Sequence, residues 1–462
     1  MKHIPKGFNR RQFLKGSAYL GGTAAIFGQS PFIETLARAH THPDAADHYY
    51  IFCYFGGAWD ILLSLEPRDP LLYNQSNMRL TGIQPGYELL NSSDGQLVVK
   101  NEMTFGPHIG DLANHSDKIA LIRGMSMDTL THQAGRNYFI TGKVPSGLQA
   151  RGSSAGSWLA YQLGEALPIP SLAVQVPAFN DRLPNFASSL KVNSVSDLVR
   201  ALKPSEPLLI PEIHAQIREG HRQKSLCPQA SQSLFWQNAE ASRKKSVEMM
   251  GSQLDALFDF QQQNNPLMES IRDHYGISAT GGNALQTAEA QAAMAAQAIK
   301  SGISRCVTIQ ITGGLDTHRG EWADVQGPFQ ESGFNLVSRL IEDLSSSPYG
   351  DTGDSWLDHT TILGFSEFSR TALLNLDGGR DHSLTNACFL AGAGIKGGTV
   401  IGRSSDTGFT PQPVNLDTGL VDMGGEIIRP EHVLQTLFRH ADLGDEPDMR
   451  VDGINAIDAL MS

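Results

Sequence analysis

Between Thr360 and Gly394 the chain reads TTILGFSEFSRTALLNLDGGRDHSLTNACFLAGAG, and this stretch limits the available folds more than any other. Thr360–Phe365 is β-branched and apolar, the pattern of a buried strand. Polar Ser366, Glu367 and Arg370 follow at once. A glycine-rich loop then delivers Asp381 and His382, and a second apolar run, Ala387–Ala391, leads into another glycine-rich turn. Open α/β sheets place their sites where strands end in such groups.

Two further runs end the same way. Tyr49–Phe55, YYIFCYF, is nearly all apolar and closes on Gly56-Gly57-Ala58-Trp59-Asp60, which predicts a first, central strand of a parallel sheet. Asp60 then either holds a ligand or caps a helix starting near Ile61. Cys306–Ile311 is β-branched and ends in Thr312-Gly313-Gly314-Leu315-Asp316-Thr317-His318. A fourth strand is expected at Ile119–Arg123 and a fifth at Ser171–Val176. After Ile119–Arg123, Ala134–Ile140 reads as helical, with Thr131 and His132 in the turn before it. Helix amino ends gather unpaired N–H groups and partial positive charge, a setting for a nucleophile or an anion.

Helices are expected at His108–His115, Ser153–Leu163, Leu285–Lys300, Gly327–Leu344 and Pro430–His440, the last with proline at its start. Residues 66–107 read as irregular. From 193 to 283 strand signals thin out, and the segment reads as a helical insertion, clearest at Ser231–Gln263. Strand and helix alternate elsewhere, so residues 40–462 predict one α/β domain with a doubly wound, mostly parallel sheet.

The amino end carries its own signal. Asn9-Arg10-Arg11-Gln12-Phe13-Leu14-Lys15 is a twin-arginine motif, followed by a weakly apolar Gly/Ala stretch and by Ala37-Arg38-Ala39, a small-x-small cleavage pattern. The stretch is glycine-broken and shorter than the roughly 20 apolar residues of a membrane span. Residues 1–39 therefore read as a leader, and the mature protein as periplasmic or secreted with no transmembrane segment. Removing the leader's six basic residues and one acid leaves 30 basic against 47 acidic residues, a net −17. That excess argues against nucleic acid and anionic membranes as partners and suits hard cations. Four cysteines make no disulfide framework; Cys53, Cys306 and Cys388 sit in apolar runs and Cys227 in a polar loop.

Five loop segments after strands thus offer Asp60, Thr131 with His132, Asp316 with His318, Glu367, and Asp381 with His382. Mixed carboxylates and imidazoles bind divalent ions of the Zn²⁺, Mn²⁺ or Ca²⁺ kind, and paired ions clamp a transferring phosphoryl or sulfuryl group. No G-x-G-x-x-G opens a helix after the first strand, which argues against a dinucleotide cofactor.

Together the twin-arginine leader, GGAWD, GGLDTH, SEFSR and GGRDH make the chain similar to the exported domain-of-unknown-function family number 1501, itself related to the alkaline phosphatase and sulfatase superfamily. The resemblance covers essentially the whole mature chain and implies an alkaline-phosphatase-like sheet. It implies metal ligands at Asp60, Asp316, His318, Glu367 and His382; Asp381, beside His382, either ligates as well or orients an imidazole. His132 to Gly142, HQAGRNYFITG, is similar in spacing to the sulfatases' Cys-x-Pro-Ser-Arg…Thr-Gly signature, which gives Arg136 the signature arginine's role and leaves Thr131 as the nearest hydroxyl nucleophile. Arg136 or Arg370 would stabilise charge on the transferring group. The chain departs from the pattern at Phe368, where phosphatases have a histidine; at His132, where sulfatases have a modified cysteine; and in the shorter Asp316–His318 spacing. One ion, two ions or a degenerate site remain open. The function implied is an exported, metal-dependent hydrolase acting on a small phosphate or sulfate ester; the alternative is a non-catalytic surface, binding or assembly protein keeping the fold.

The leader is expected to be cut after Ala39. Replacing Arg10 and Arg11 by lysine is expected to stop export, and normal periplasmic accumulation of that double variant would sink the assignment.

Overall fold

The computed structural model describes residues 47–443, apart from 93–94 and most of 204–253, together with 454–462. The leader and the 231–253 part of the expected insertion helix lie outside the described residues.

An eight-stranded sheet is the centre of the fold. Strands β1 (Tyr49–Phe55), β4 (Ile119–Ser126), β5 (Ser171–Val174), β6 (Leu190–Val192), β7 (Cys306–Thr312), β8 (Thr360–Phe365), β11 (Thr385–Gly392) and β12 (Thr399–Ile401) lie in the order β12-β4-β11-β8-β1-β7-β5-β6. Two small ribbons stand outside it, β2 (Val98–Lys100) with β3 (Met103–Phe105) and β9 (Ser369–Arg370) with β10 (His382–Ser383). As expected, β1 is central, with β7 and β8 parallel on either side. Strand β11 runs antiparallel to both its neighbours, β8 and β4, while the other seven share one direction. The sheet is therefore mixed and mostly parallel.

Period-two alternation assigns the side chains to two cores. Tyr49, Ile51, Cys53 and Phe55 pack in one apolar cluster, and Tyr50, Phe52 and Tyr54 in the other. All seven are buried, which is why the run has no polar alternation. Burying a large apolar side chain contributes roughly 1.5–3 kcal/mol, so β1 anchors both layers. Among the described residues, seven helices of eight residues or more flank the sheet: α1 (His132–Thr141), α2 (Ala155–Leu163), α3 (Val195–Leu202), α4 (Pro266–Tyr275), α5 (Ala288–Lys300), α6 (Gly327–Ser346) and α7 (Pro430–His440). Buried residues of α3, α4, α5 and α6 join the first core; those of α1, α2 and α7 join the second. This is the doubly wound arrangement.

Some boundaries differ from expectation. Helix α1 begins at His132, so Thr131 is its N-cap and His132 its first residue. His108–His115 contains only a 3-10 helix, Gly110–His115. Residues 66–107, expected to be irregular, contain the β2–β3 ribbon and a helical turn, Met78–Thr81. The carboxyl part of the expected Ser231–Gln263 helix is a 3-10 turn, Leu254–Leu257, followed by irregular chain. There Arg272 draws the carbonyls of Phe260 and Gln262 toward α4, and Asn265 starts a fresh helix by capping Leu267 and Met268. Among the described residues no helix is long and apolar enough to cross a membrane.

Glycine in the middle of buried β8 is explained by its partner. Gly364 faces Phe389 of β11 in register, and a Cβ on Gly364 would stand 2.1 Å from the Phe389 ring. Gly364→Ala is expected to cost about 1–3 kcal/mol by overpacking. The urea midpoint should fall with an unchanged slope; an unchanged midpoint would refute this packing.

Candidate metal centre

The carboxyl ends of β1, β4, β7 and β8 and the amino end of β11 meet at one edge of the sheet. Each strand end contributes a segment. After β7, Gly313–Leu315 turns the chain so that Asp316 and His318 face the loop after β8. After β8, Glu367 sits under α1, and ribbon β9–β10 pairs Arg370 directly with His382. Gly57, after β1, has φ +107, and a side chain there would strike the Leu315 amide nitrogen at 2.7 Å. Only glycine lets the first and third loops lie this close.

His132, His318, His382 and Asp316 come together. Asp316 Oδ1 lies 3.2 Å from His132 Nε2, 2.9 Å from His318 Nε2 and 3.3 Å from His382 Nε2. The Nε2 atoms of His318 and His382 are 3.0 Å apart. One nitrogen or oxygen from each of His132, Asp316 and His382 falls within 4.8 Å of the other two. Donors around a tetrahedral ion with bonds of 2.0–2.1 Å stand about 3.3 Å apart, close to the 3.2 Å and 3.3 Å that separate Asp316 Oδ1 from His132 and His382.

The opposite ring nitrogens are all committed. His132 Nδ1 meets Glu367 Oε1 at 2.7 Å, His318 Nδ1 meets Asp381 Oδ1 at 2.9 Å, and His382 Nδ1 meets the Leu130 carbonyl at 2.7 Å. An oxygen acceptor takes an N–H, so each Nδ1 carries a proton and each ring turns its Nε2 to the common point. Histidines that bind metal are held this way, by carboxylates or carbonyls behind them. His132 Nε2 is also buried without a hydrogen-bond partner; its 3.2 Å approach to Asp316 lacks hydrogen-bonding geometry.

Charges follow this layout. Burial disfavours the Asp316 carboxylate, but the hydrogen bond and charge of Arg370, with His132 and His382, hold it well below the usual range. Burial likewise opposes ionised Glu367, and His132, backbone N–H and Ser366 outweigh it. For His132, burial is outweighed by Glu367 and Asp316, which raise its pKa. His382 goes the other way: burial, with the charges of Arg370 and His132, outweighs the Leu130 carbonyl and Asp316 and lowers it.

Not every residue expected as a ligand turns toward this cluster. Asp60 is fully buried and its oxygens are taken: Oδ1 accepts from the Leu62 amide at 3.0 Å, and Oδ2 accepts from Trp322 Nε1 at 2.8 Å and forms an ion pair with Arg380 Nε at 2.9 Å. It lies past β1 at the expected edge but turns inward, as a cap and ion-pair partner. Glu367 supports the site from behind. Oε1 is shared by His132 and the Gly57 amide, and Oε2 lies 2.9 Å from the Ser366 hydroxyl. Asp381 orients His318. Thr131 is exposed and its hydroxyl makes no cap. Arg136, one turn along α1, has its guanidinium 5.8 Å from the Tyr54 ring centre, and its Nε is buried without a hydrogen-bond partner.

Two contributors escaped sequence reading. Arg380, inside GGRDH, is fully buried against Asp60 and three backbone carbonyls; its place between glycines and an acid was the available signal. Asn375 bridges the His318 carbonyl at 2.9 Å and Asp381 Oδ1 at 3.2 Å, and nothing local marks it.

A family model described as a protein of unknown function, DUF1501, matches residues 51–420. No curated protein matches the chain. Among solved structures, Ps i-CgsB is similar at 10% identity and TM-score 0.38, covering 88% of this chain and 75% of that one. Its complex with k-i-k-neocarrahexaose gives 0.37 over the same shares. A Bacteroides thetaiotaomicron structure, from work on the metabolism of multiple glycosaminoglycans, gives 9% identity and TM-score 0.33 over 86% of this chain and 73% of that one. Likeness at this level carries no argument about activity.

Removing Asp60 leaves Arg380 as an uncompensated buried charge. Asp60→Ala is expected to lose about 3–5 kcal/mol of stability, equally with and without a chelator. A loss that disappears in chelator would mark Asp60 as a ligand instead.

Proposed function

Because the chain belongs to the DUF1501 family of proteins of unknown function, whose model matches residues 51–420, we propose its function from the site itself: a metal-dependent hydrolase of phosphate or sulfate esters, exported by the twin-arginine route. The observation that carries this reading is the set of three imidazoles whose Nδ1 atoms are tied to Glu367, Asp381 and the Leu130 carbonyl while their Nε2 atoms face Asp316. The orphaned Nε2 of His132 is the atom a bound ion would satisfy. His132, His318, His382 and Asp316 would hold the ion, with Zn²⁺ favoured by the nitrogen-rich set. With Asp316, Glu367 and Asp381 ionised and Arg370 charged, neutral histidines leave a local charge of about −2, which a divalent ion balances.

A bound divalent ion supplies Lewis acidity toward an ester oxygen and lowers the pKa of water. The chain's own groups do the rest. Glu367, Asp381 and the Leu130 carbonyl fix the rings, so that no rotamer search precedes binding. The amino end of α1 faces this edge with its unpaired N–H groups and favours an anionic group. Thr131, at that end, offers a hydroxyl not used for capping, the nucleophile of a covalent route; otherwise water attacks. Thr131→Ala separates the two routes by abolishing any covalent intermediate.

A second reading, a non-catalytic binding protein that keeps the ion, is favoured by one observation. Clefts of about 660 Å³ and 470 Å³ open elsewhere, around Arg151 and Asn180 and around Arg123 and Arg403, and neither is lined by the cluster.

Metal content of purified protein tests the proposal. Wild type is expected to retain divalent metal and to hydrolyse para-nitrophenyl phosphate or sulfate. His382→Ala is expected to bind it at least about 10-fold more weakly and to lose activity in step. Metal without hydrolysis of any ester selects the binding protein; no metal, with no response to chelator, removes both.

A further inference from the structure

Arg370 was expected to stabilise charge on a substrate, but its surroundings leave it nothing to reach with. The side chain is 0% exposed. Its Nε donates to the Ala58 carbonyl at 3.1 Å and its Nη1 to the Arg380 carbonyl at 3.2 Å. Nη2 donates to the Leu315 carbonyl at 2.9 Å, to Asp316 Oδ1 at 2.5 Å and to the Gly57 carbonyl. Nη1 also stands 3.3 Å from His318 Nε2. Five N–H groups meet six acceptors, and five of those acceptors are oxygens.

Oxygen crowding is greatest at Nη2, where two backbone carbonyls and a carboxylate converge. Carbonyl and carboxylate oxygens gathered on one point are the donor set of a hard cation, and without positive charge they repel one another. The neighbouring half of the site is different in kind, built from imidazole nitrogens. The two halves share Asp316 Oδ1.

We propose that Arg370 is the resident cation of this site: its guanidinium fills an oxygen-lined hole suited to a second ion and so limits the centre to one divalent ion on the imidazole side. The limit to one ion rests on the metal reading above. The filling of the oxygen hole does not, and it can be tested apart from it.

The experiment uses the mature chain in three forms: wild type, Arg370→Ala and Arg370→Lys. Wild type is dialysed against excess Zn²⁺ and, separately, Mn²⁺, and tightly bound ions are counted by atomic emission. One ion per chain is expected; two would overturn the proposal. None would end the one-ion limit along with the metal reading, leaving the oxygen hole to the second arm. In that arm Arg370→Ala is expected to melt roughly 3–6 °C below wild type, the scale of a broken buried ion pair in a chain of this size. Millimolar methylguanidinium, or Ca²⁺, is expected to restore at least half of that loss while leaving wild type unchanged. A variant that melts like wild type, or one that neither additive restores, would overturn the resident-cation reading. If Arg370→Ala fails to fold, refolding is repeated with methylguanidinium, and Arg370→Lys is melted in its place. Lysine keeps the charge but not the fork, so intermediate stability supports the proposal. Failure of both variants to respond to either additive refutes it.

Discussion

One buried guanidinium ties together four stretches of chain that meet at one edge of the sheet. Arg370, on the β9 ribbon after β8, holds the carbonyls of Gly57 and Ala58 after β1, of Leu315 after β7, and of Arg380 before β11. Burying an unpaired charge costs many kcal/mol, so the loops cannot drift from this cation without exposing it to that penalty. Asp316 is fixed by the same group, and the Nε2 atoms of the three histidines stand 3.2, 2.9 and 3.3 Å from its Oδ1. Behind this layer a neutral network braces the edge: Trp59 Nε1 donates to Asn386, and Asn386 donates to the Ser366 carbonyl. Rigidity of this kind is what keeps three imidazoles from relaxing away from one another.

Two Asp–Arg pairs stand side by side with opposite consequences. Asp60 and Arg380 are both fully buried, and every oxygen of Asp60 is occupied. Asp316 pairs with the equally buried Arg370, yet its own side chain is 48% exposed. The exposed oxygen surface makes Asp316 available to an ion, and the sealed surroundings of Asp60 make it part of the scaffold. The Arg380 carbonyl accepts from Arg370, so the scaffold pair positions the pair at the site.

Much of this was legible in the sequence, for identifiable reasons. Tyr49–Phe55 and Thr360–Phe365 are apolar runs closed by glycine or polar residues, and the observed strands have those bounds. Pro430–His440 was readable because proline fixes a helix start. The contrast between Asp60 and Asp316 was not, since both follow a glycine pair after a buried strand. What separates them lies far away in sequence: Trp322 and Arg380 draw one inward, and Arg370 and the histidines hold the other at the surface. Glu367 shows the same limit. Its neighbour Ser366 was visible, but the Gly57 amide and His132, which use up its carboxylate, come from other segments.

Strand direction was the least legible feature, and the site depends on it. An apolar run such as Ala387–Ala391 has no polarity in its side-chain pattern, so nothing local says that β11 runs against β8 and β4. Residues that follow a parallel strand reach the carboxyl edge automatically, as Asp316 and Glu367 do. Asp381 and His382 precede their strand. Had β11 joined the sheet in parallel, they would enter it at the amino edge, a full strand length from Asp316. Reversal brings them to the same edge, where the β9–β10 ribbon sets His382 opposite Arg370. One antiparallel strand in an otherwise parallel sheet is therefore the topological condition for a third imidazole at this edge.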